Sequence, residues 1–140
     1  MTTLIDQLKR EEGTVPHAYE DHLGYLTIGV GRLIDVRKGG GLSPDEIDYL
    51  LQNDVNAKTY QVLQALPWVS NLNEPRQAVL IGMAFQMGVS GLLWFRTTLG
   101  HVEAGEYRLA ALAMLDSLWA KQTPERAHRL SVQMETGEWQ

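Results

Sequence analysis

The sequence predicts an α+β fold that is mainly α. A small antiparallel-sheet lobe near the N-terminus is joined by a long helix to a larger helical lobe. Three observations carry this. Residues 17–34 concentrate aromatic and β-branched side chains between the glycines Gly24, Gly29 and Gly31. From Ile47 to Leu66 apolar residues recur at helical spacing for about six turns. Beyond Asn73, Ala- and Leu-rich runs alternate with Gly and Pro punctuation, with no strand pattern. The 140 residues fit one domain. Its sheet lobe is expected at about 13–45 and its linking helix at about 44–66. Its helical lobe takes in 66–140 together with a first helix over 1–12.

Met1, Leu4, Ile5 and Leu8 fall on one face of that first helix, and Gly13 stops it. His17-Ala18-Tyr19, Tyr25-Leu26-Thr27-Ile28 and Val30-Gly31-Arg32-Leu33 read as short strands separated by tight turns. Lys38-Gly39-Gly40-Gly41 reads as a flexible loop. Ser43-Pro44-Asp45-Glu46 is a helix start, with a Ser cap, Pro at the first helical position and Glu three residues after the Ser. Pro67 ends that helix. Asn73-Glu74-Pro75 opens another, with Val79, Leu80, Met83, Ala84 and Met87 as its stripe; Gly88 and Gly91 interrupt the chain after it. Residues 103–120 are Ala- and Leu-rich and read as helical, and Thr123-Pro124 caps a further helix through about Leu130.

Composition narrows the function. There are no cysteines, which excludes disulfides, thiolate metal sites and cysteine nucleophiles. The four histidines lack ligand spacing, so no metal and no cofactor is expected. A net charge of −5 argues against a nucleic-acid partner, which calls for a basic face. It also gives no long-range pull toward an anionic polymer, so such a substrate would need a local basic cleft. No run approaches the roughly 20 apolar residues of a membrane span. Asp6, Lys9 and Arg10 interrupt the place where the apolar core of a secretory leader would run.

Chemistry points to the segment from Glu12 to Leu33. On a helical wheel Glu12 lies about 30° from the centre of the apolar stripe, and Glu11 about 70°. A carboxyl held along an apolar face is desolvated, and that favours its protonated, acid-donating form. Asp21, beside Gly24 in a turn, is better solvated and should stay ionised. Two carboxyls in unlike environments are what glycoside hydrolysis uses. Thr27, in a strand, offers a hydroxyl to hold a water. The plainer reading of the same residues is a helix end and a turn aspartate.

The run EEGTVPHAYEDHLGYLTIGVGRL at residues 11–33 resembles the phage-type lysozymes, glycoside hydrolase family 24, and within it the branch of the T-even phages. The family pattern is Glu, eight residues, Asp, five residues, Thr. Glu12, Asp21 and Thr27 meet it, whereas Glu11 does not. Leu80-Ile81 through Ala84-Phe85-Gln86-Met87-Gly88 is similar to the family's cleft-lining helix. Trp119 to Ala127 is similar to its C-terminal signature, and Thr136-Gly137-Glu138-Trp139 to its chain end.

The resemblance implies a lysozyme-like fold. It implies a muramidase that hydrolyses, with inversion, the β-1,4 bond between N-acetylmuramic acid and N-acetylglucosamine in bacterial peptidoglycan. Glu12 would be the acid, with Asp21 and Thr27 positioning the attacking water. Leu33, Phe85, Gln86 and Thr98 fall where the family contacts saccharide, and Arg126 where it sets an arginine near the catalytic Glu. It further implies a monomer without stable membrane association, made in the host cytoplasm for lysis. A separate membrane-permeabilising protein would release it to the periplasm.

The departures are specific. Arg32 stands for a His, read either as an ion pair with Asp54 or Glu46 or as a functional change. Thr98 stands for a Ser and keeps a hydroxyl. Ala113 stands for an Asn and loses a side-chain hydrogen bond. The segment between Leu33 and Ser43 is short, as though a helix were missing. Trp68, Trp94, Trp119 and Trp139 read as packing residues before sugar platforms, and Met83 and Met87 as core.

Overall fold

The computed structural model describes residues 3–140. It forms two compact units, one through Leu50 and the other Leu51–Gln140. Met1, counted above in the first apolar stripe, lies outside the described residues.

The first unit opens with α1 (Leu4–Glu12). Thr3 and Asp6 close a reciprocal capping box: the Asp6 N–H donates to the Thr3 hydroxyl, and the Thr3 N–H donates to the Asp6 carboxylate. Gly13 ends the helix, its N–H donating to the Lys9 carbonyl. The expected stripe residues Leu4, Ile5 and Leu8 are exposed. Three antiparallel strands follow, β1 (Val15–Glu20), β2 (Leu26–Gly29) and β3 (Arg32–Leu33), with β2 central. Val15 pairs with Gly29, Tyr19 with Thr27 and Glu20 with Leu26, across a register shift between Val15 and Tyr19.

The expected flexible loop at 38–41 is instead a closed turn. Val36–Lys38 form one turn of 3-10 helix, and the Asp35 carboxylate accepts from the Arg37 N–H at its start. Gly40 donates to the Asp35 carbonyl and Gly41 to that of Leu33. A Cβ at Gly40 would meet the Leu33 carbonyl oxygen at 2.7 Å, so this close backbone approach needs glycine. This turn stands where the sequence looked a helix short. Asp35 is buried and is paired with the Arg37 guanidinium at 2.7 Å. Arg37 holds the carboxyl well below its ordinary range, at about 2.

Ser43 and Glu46 form the expected capping box at the start of α2 (Pro44–Ala65). The unit boundary falls inside this helix. Its later turns send Val62 into the core, while Ile47, Leu50 and Leu51 are exposed. A second 3-10 turn (Pro67–Asn71) follows.

The second unit holds the hydrophobic core. α3 (Glu74–Leu93) starts on Asn73, whose side chain accepts from the Arg76 N–H, and bends at Gly88. Val79, Leu80, Met83 and Ala84 on its inner face are fully buried. At ~25 cal/mol per Å², burying Val79, Leu80 and Met83 stabilises the fold by roughly 1.5–3 kcal/mol each before entropy is counted, and the Ala84 methyl by less. α4 is Arg96–Glu103, and the run 103–120, expected to be helical, forms α5 (Tyr107–Leu115) and the start of α6 (Leu118–Gln122) after the end of α4. Gly105, at φ 76°, turns the chain after α4. Asp116 leaves helical geometry after α5, and Ser117 caps α6. α7 (Pro124–Thr136) runs past Leu130 to Gly137. Thr123 does not cap it; its hydroxyl donates back to the Trp119 carbonyl and closes α6. Arg76 lies over the Tyr107 ring at 3.6 Å and donates to the Met134 and Glu135 carbonyls, closing the C-terminal end of α7.

Of the four tryptophans, Trp119 is buried and Trp68 packs on the core. Trp94 and Trp139 are exposed at 77% and 60%, which corrects the reading of all four as packing residues. Among the described residues no single helix is long and apolar enough to cross a membrane.

Candidate active site

Within the first unit, Glu12 and Asp21 stand at opposite ends of β1. Glu12 is the last residue of α1 and its carboxyl lies over Gly31, in the β2–β3 turn. A Cβ at Gly31 would come within 3.0 Å of Glu12 Oε2 and 3.2 Å of Cδ. Glu12 is exposed, unlike the desolvated carboxyl expected from its wheel position, because the stripe residues around it are themselves exposed. Gly31 also has φ 65°, a region that costs other residues about 1 kcal/mol. Gly31→Ala is therefore expected to lower stability by about 1–2 kcal/mol and to swing the Glu12 carboxyl aside. Melting curves and initial cleavage rates check both effects; a variant with wild-type rate removes Gly31 from the site.

Asp21 closes the β1–β2 turn. Its Oδ1 accepts from the backbone N–H groups of Leu23 and Tyr25, both at 2.9 Å. The Tyr25 bond above all, with Leu23 and the nearby His22 adding to it, holds the carboxyl below its ordinary range. Asp21 thus stays ionised, and among the described residues its Oδ2 takes no hydrogen bond. Thr27 sits between the two ends on β2, buried, opposite Tyr19 on one side and Leu33 on the other. Its hydroxyl donates to the Tyr25 carbonyl at 3.0 Å, so its lone pairs are left to accept.

The Asp21 turn is braced from outside the expected set. Arg37 donates to the Gly24 carbonyl and lies over the Tyr25 ring at 5.0 Å while it holds the buried Asp35. Sequence reading passed over this pair. The signal was an Asp two residues before an Arg, just ahead of a glycine run.

Arg32 pairs with Glu46 and not with Asp54. Its two terminal guanidinium nitrogens, Nη1 and Nη2, reach the two carboxylate oxygens at 2.9 and 2.6 Å, and Nη1 also donates to the Gly41 carbonyl. This fork joins β3 to the start of α2. Arg32, with the Ser43 cap, draws Glu46 from 4.5 down to about 2. A carboxylate whose acidity rises on folding stabilises the fold above its unfolded value and loses that contribution as pH falls through its folded one. Glu46 and Asp35 both do this, so stability should decline between about pH 4.5 and 2. In Arg32→Met the Glu46 titration should move back toward 4.5. Carboxyl NMR titration checks this, and an unmoved midpoint excludes the pairing.

In the second unit, Phe85, Gln86 and Arg126 line one hollow of about 330 Å³. Thr98 and Ala113 line another, of about 420 Å³. Trp119 connects the two hollows. Its ring lines the second, edge-on to Phe95 at 5.9 Å, and its Nε1 donates to Gln86 Oε1 at 2.9 Å. Trp119 is thus both a packing residue and the group that fixes Gln86, a partnership that spacing along the chain could not show.

Known proteins bear on the same residues. The sequence profile of the phage lysozyme family matches residues 9–132. A probable T4-type lysozyme of Dictyostelium discoideum is 30% identical, the match covering 98% of this chain and 96% of that protein. A second probable T4-type lysozyme of that organism is 29% identical over the same shares. The pre-baseplate central spike protein of Enterobacteria phage T4 is 32% identical over 96% of this chain and 28% of its own length. With the profile spanning Glu12, Asp21, Thr27, the Gln86 helix and Arg126, the chain belongs to the phage lysozyme family and is a glycoside hydrolase of T4 lysozyme type.

Proposed function

We propose that this lysozyme hydrolyses the β-1,4 bond between N-acetylmuramic acid and N-acetylglucosamine in peptidoglycan, with inversion. The observation that carries this reading is the placing of Glu12 and Asp21 at the two ends of one short sheet, with Thr27 between them. Inverting hydrolases need carboxyls roughly 6.5–9.5 Å apart, so that a water fits between acid and base.

The chemistry follows from donor and acceptor roles. Glu12 gives its proton to the bridging oxygen as the C1–O bond of the muramic acid breaks. Asp21 Oδ2 and the Thr27 hydroxyl both accept, so a water held by the two directs its protons toward them and a lone pair toward C1. Because its turn holds Asp21 ionised, its main work is to orient that water and to support the positive charge that develops on the sugar. The water's proton leaves through Asp21 to solvent. Leu33, Phe85, Gln86, Thr98 and Arg126 take the role of saccharide contacts in this reading.

The same reading extends to biology: lysis of the host by a protein made in its cytoplasm and let through the membrane by a separate permeabilising protein. The likeness to a pre-baseplate central spike protein favours a second setting, in which such a domain works as part of a larger assembly. Clearing of outer-membrane-permeabilised Gram-negative cells tests the activity. Purified protein should clear them and release reducing sugar ends. A protein that binds peptidoglycan but releases none would be a wall-binding module.

A further inference from the structure

We propose that Arg37 is a positioning residue for Asp21, acting through the one peptide unit that joins Gly24 to Tyr25; this rests on the muramidase reading above. That unit is held on both sides. Its N–H, that of Tyr25, donates to Asp21 Oδ1 at 2.9 Å. Its carbonyl, that of Gly24, accepts from Arg37 Nη2 at 3.3 Å. A peptide unit is planar, so holding the carbonyl fixes the direction of the N–H. A donor on the carbonyl also polarises the unit and strengthens its N–H as a donor.

The turn itself does not supply this hold. Gly24 has φ 82°, and a Cβ there would meet nothing within 4 Å. Glycine's freedom in open space leaves the plane of the next peptide unset by sterics. The Tyr25 carbonyl beyond it accepts from the Asp21 N–H at 2.9 Å and from the Thr27 hydroxyl at 3.0 Å. A tilt at Tyr25 therefore disturbs the Asp21 carboxylate and the Thr27 hydroxyl together. Because Oδ1 is tied to this unit, its direction also sets that of Oδ2, the oxygen assigned to the attacking water.

Arg37 is exposed, and an untethered arginine samples many rotamers. Here it is tethered. Its Nε lies 3.0 Å from Asp35 Oδ1 and its Nη2 2.7 Å from Oδ2, a fork on a carboxylate only 7% exposed. Asp35 is in turn fixed to the central strand, its N–H donating to the Leu26 carbonyl at 3.2 Å. The guanidinium completes the hold by lying over the Tyr25 ring. Buried Asp35 thus aims Arg37, and Arg37 aims the N–H that holds Asp21. Lys38 lies at the same 5.0 Å from the ring centre, yet among the described residues its ammonium makes no hydrogen bond to the turn.

The test compares Arg37→Lys, Arg37→Met and Lys38→Gln with wild type in the full chain. A lysine keeps the charge beside Asp35 but has no planar fork to reach Asp35 and the Gly24 carbonyl together. Arg37→Lys should melt near wild type, while kcat on peptidoglycan falls about ten-fold and KM stays. Arg37→Met leaves Asp35 buried and unpaired, so it should lose the same activity and melt lower as well. Lys38→Gln should keep wild-type kcat. Carboxyl NMR adds a readout independent of turnover. The Asp21 midpoint, held low chiefly by the Tyr25 N–H, should rise in Arg37→Lys and stay in Lys38→Gln. Since Arg37→Lys keeps the charge, its shift reports the lost bond. An unmoved Asp21 midpoint in Arg37→Lys, wild-type kcat in that variant, or an equal loss in Lys38→Gln overturns the proposal. If wild type releases no reducing ends while the midpoint moves as expected, the placing of Asp21 by Arg37 stands and the muramidase reading falls.

Discussion

Glu12→Gln is expected to abolish cleavage of peptidoglycan, with the initial rate falling by about 10³-fold, within the range of a lost general acid. The amide keeps the shape of the side chain over Gly31 but has no proton to give at the glycosidic oxygen. Glu12 is exposed and makes no ion pair among the described residues, so the substitution removes no buried partner. Melting temperature should stay within a few degrees, and binding to purified peptidoglycan should persist. Glu11, its neighbour, is paired with Arg10 at 3.0 Å. Glu11→Gln should therefore leave turnover near wild type, which makes it the matched control. Reducing-end release by both variants checks the assignment.

Asp21→Asn is expected to lower turnover by about 10²- to 10³-fold while substrate affinity changes little. The reason is local. Oδ1 is already spent on the Leu23 and Tyr25 N–H groups, and an asparagine oxygen can keep both bonds and thus the turn. What is lost is the negative charge and the second acceptor oxygen, which act only when water attacks and positive charge builds on the sugar. Single-turnover rates measured beside binding separate the two effects. An equal loss in binding would make Asp21 a substrate contact.

The candidate segment was legible because its signals are local. Helix phase set Glu12 apart from Glu11, but the burial it implied did not follow, since the stripe and Glu12 are all exposed. The Ser43 capping box stands as read, and so do three short strands, although Val30 and Gly31 form the turn before β3 and not part of it. Three features escaped. The glycine run at 39–41 looked flexible, yet backbone bonds to Asp35 and Leu33 close it. The run 103–120 looked helical because Ala and Leu suit a helix anywhere, and its breaks at Gly105 and Ser117 were not placed. The partner of Arg32 was open between two acids until the turn at 36–41 brought β3 beside Glu46. The exposure of Trp94 could not be read either, since a tryptophan looks the same in sequence whether a core covers it or solvent does.

The central claim is that Glu12 and an Asp21-held water hydrolyse the muramic acid bond. Digestion of purified peptidoglycan in heavy-oxygen water, followed by mass spectrometry and anomer analysis of the earliest products, tests it most directly. The account predicts muramic acid ends carrying the heavy oxygen, first formed as the inverted α-anomer, by wild type and not by Glu12→Gln. Anhydro ends without heavy oxygen, or first products of retained configuration, would contradict it.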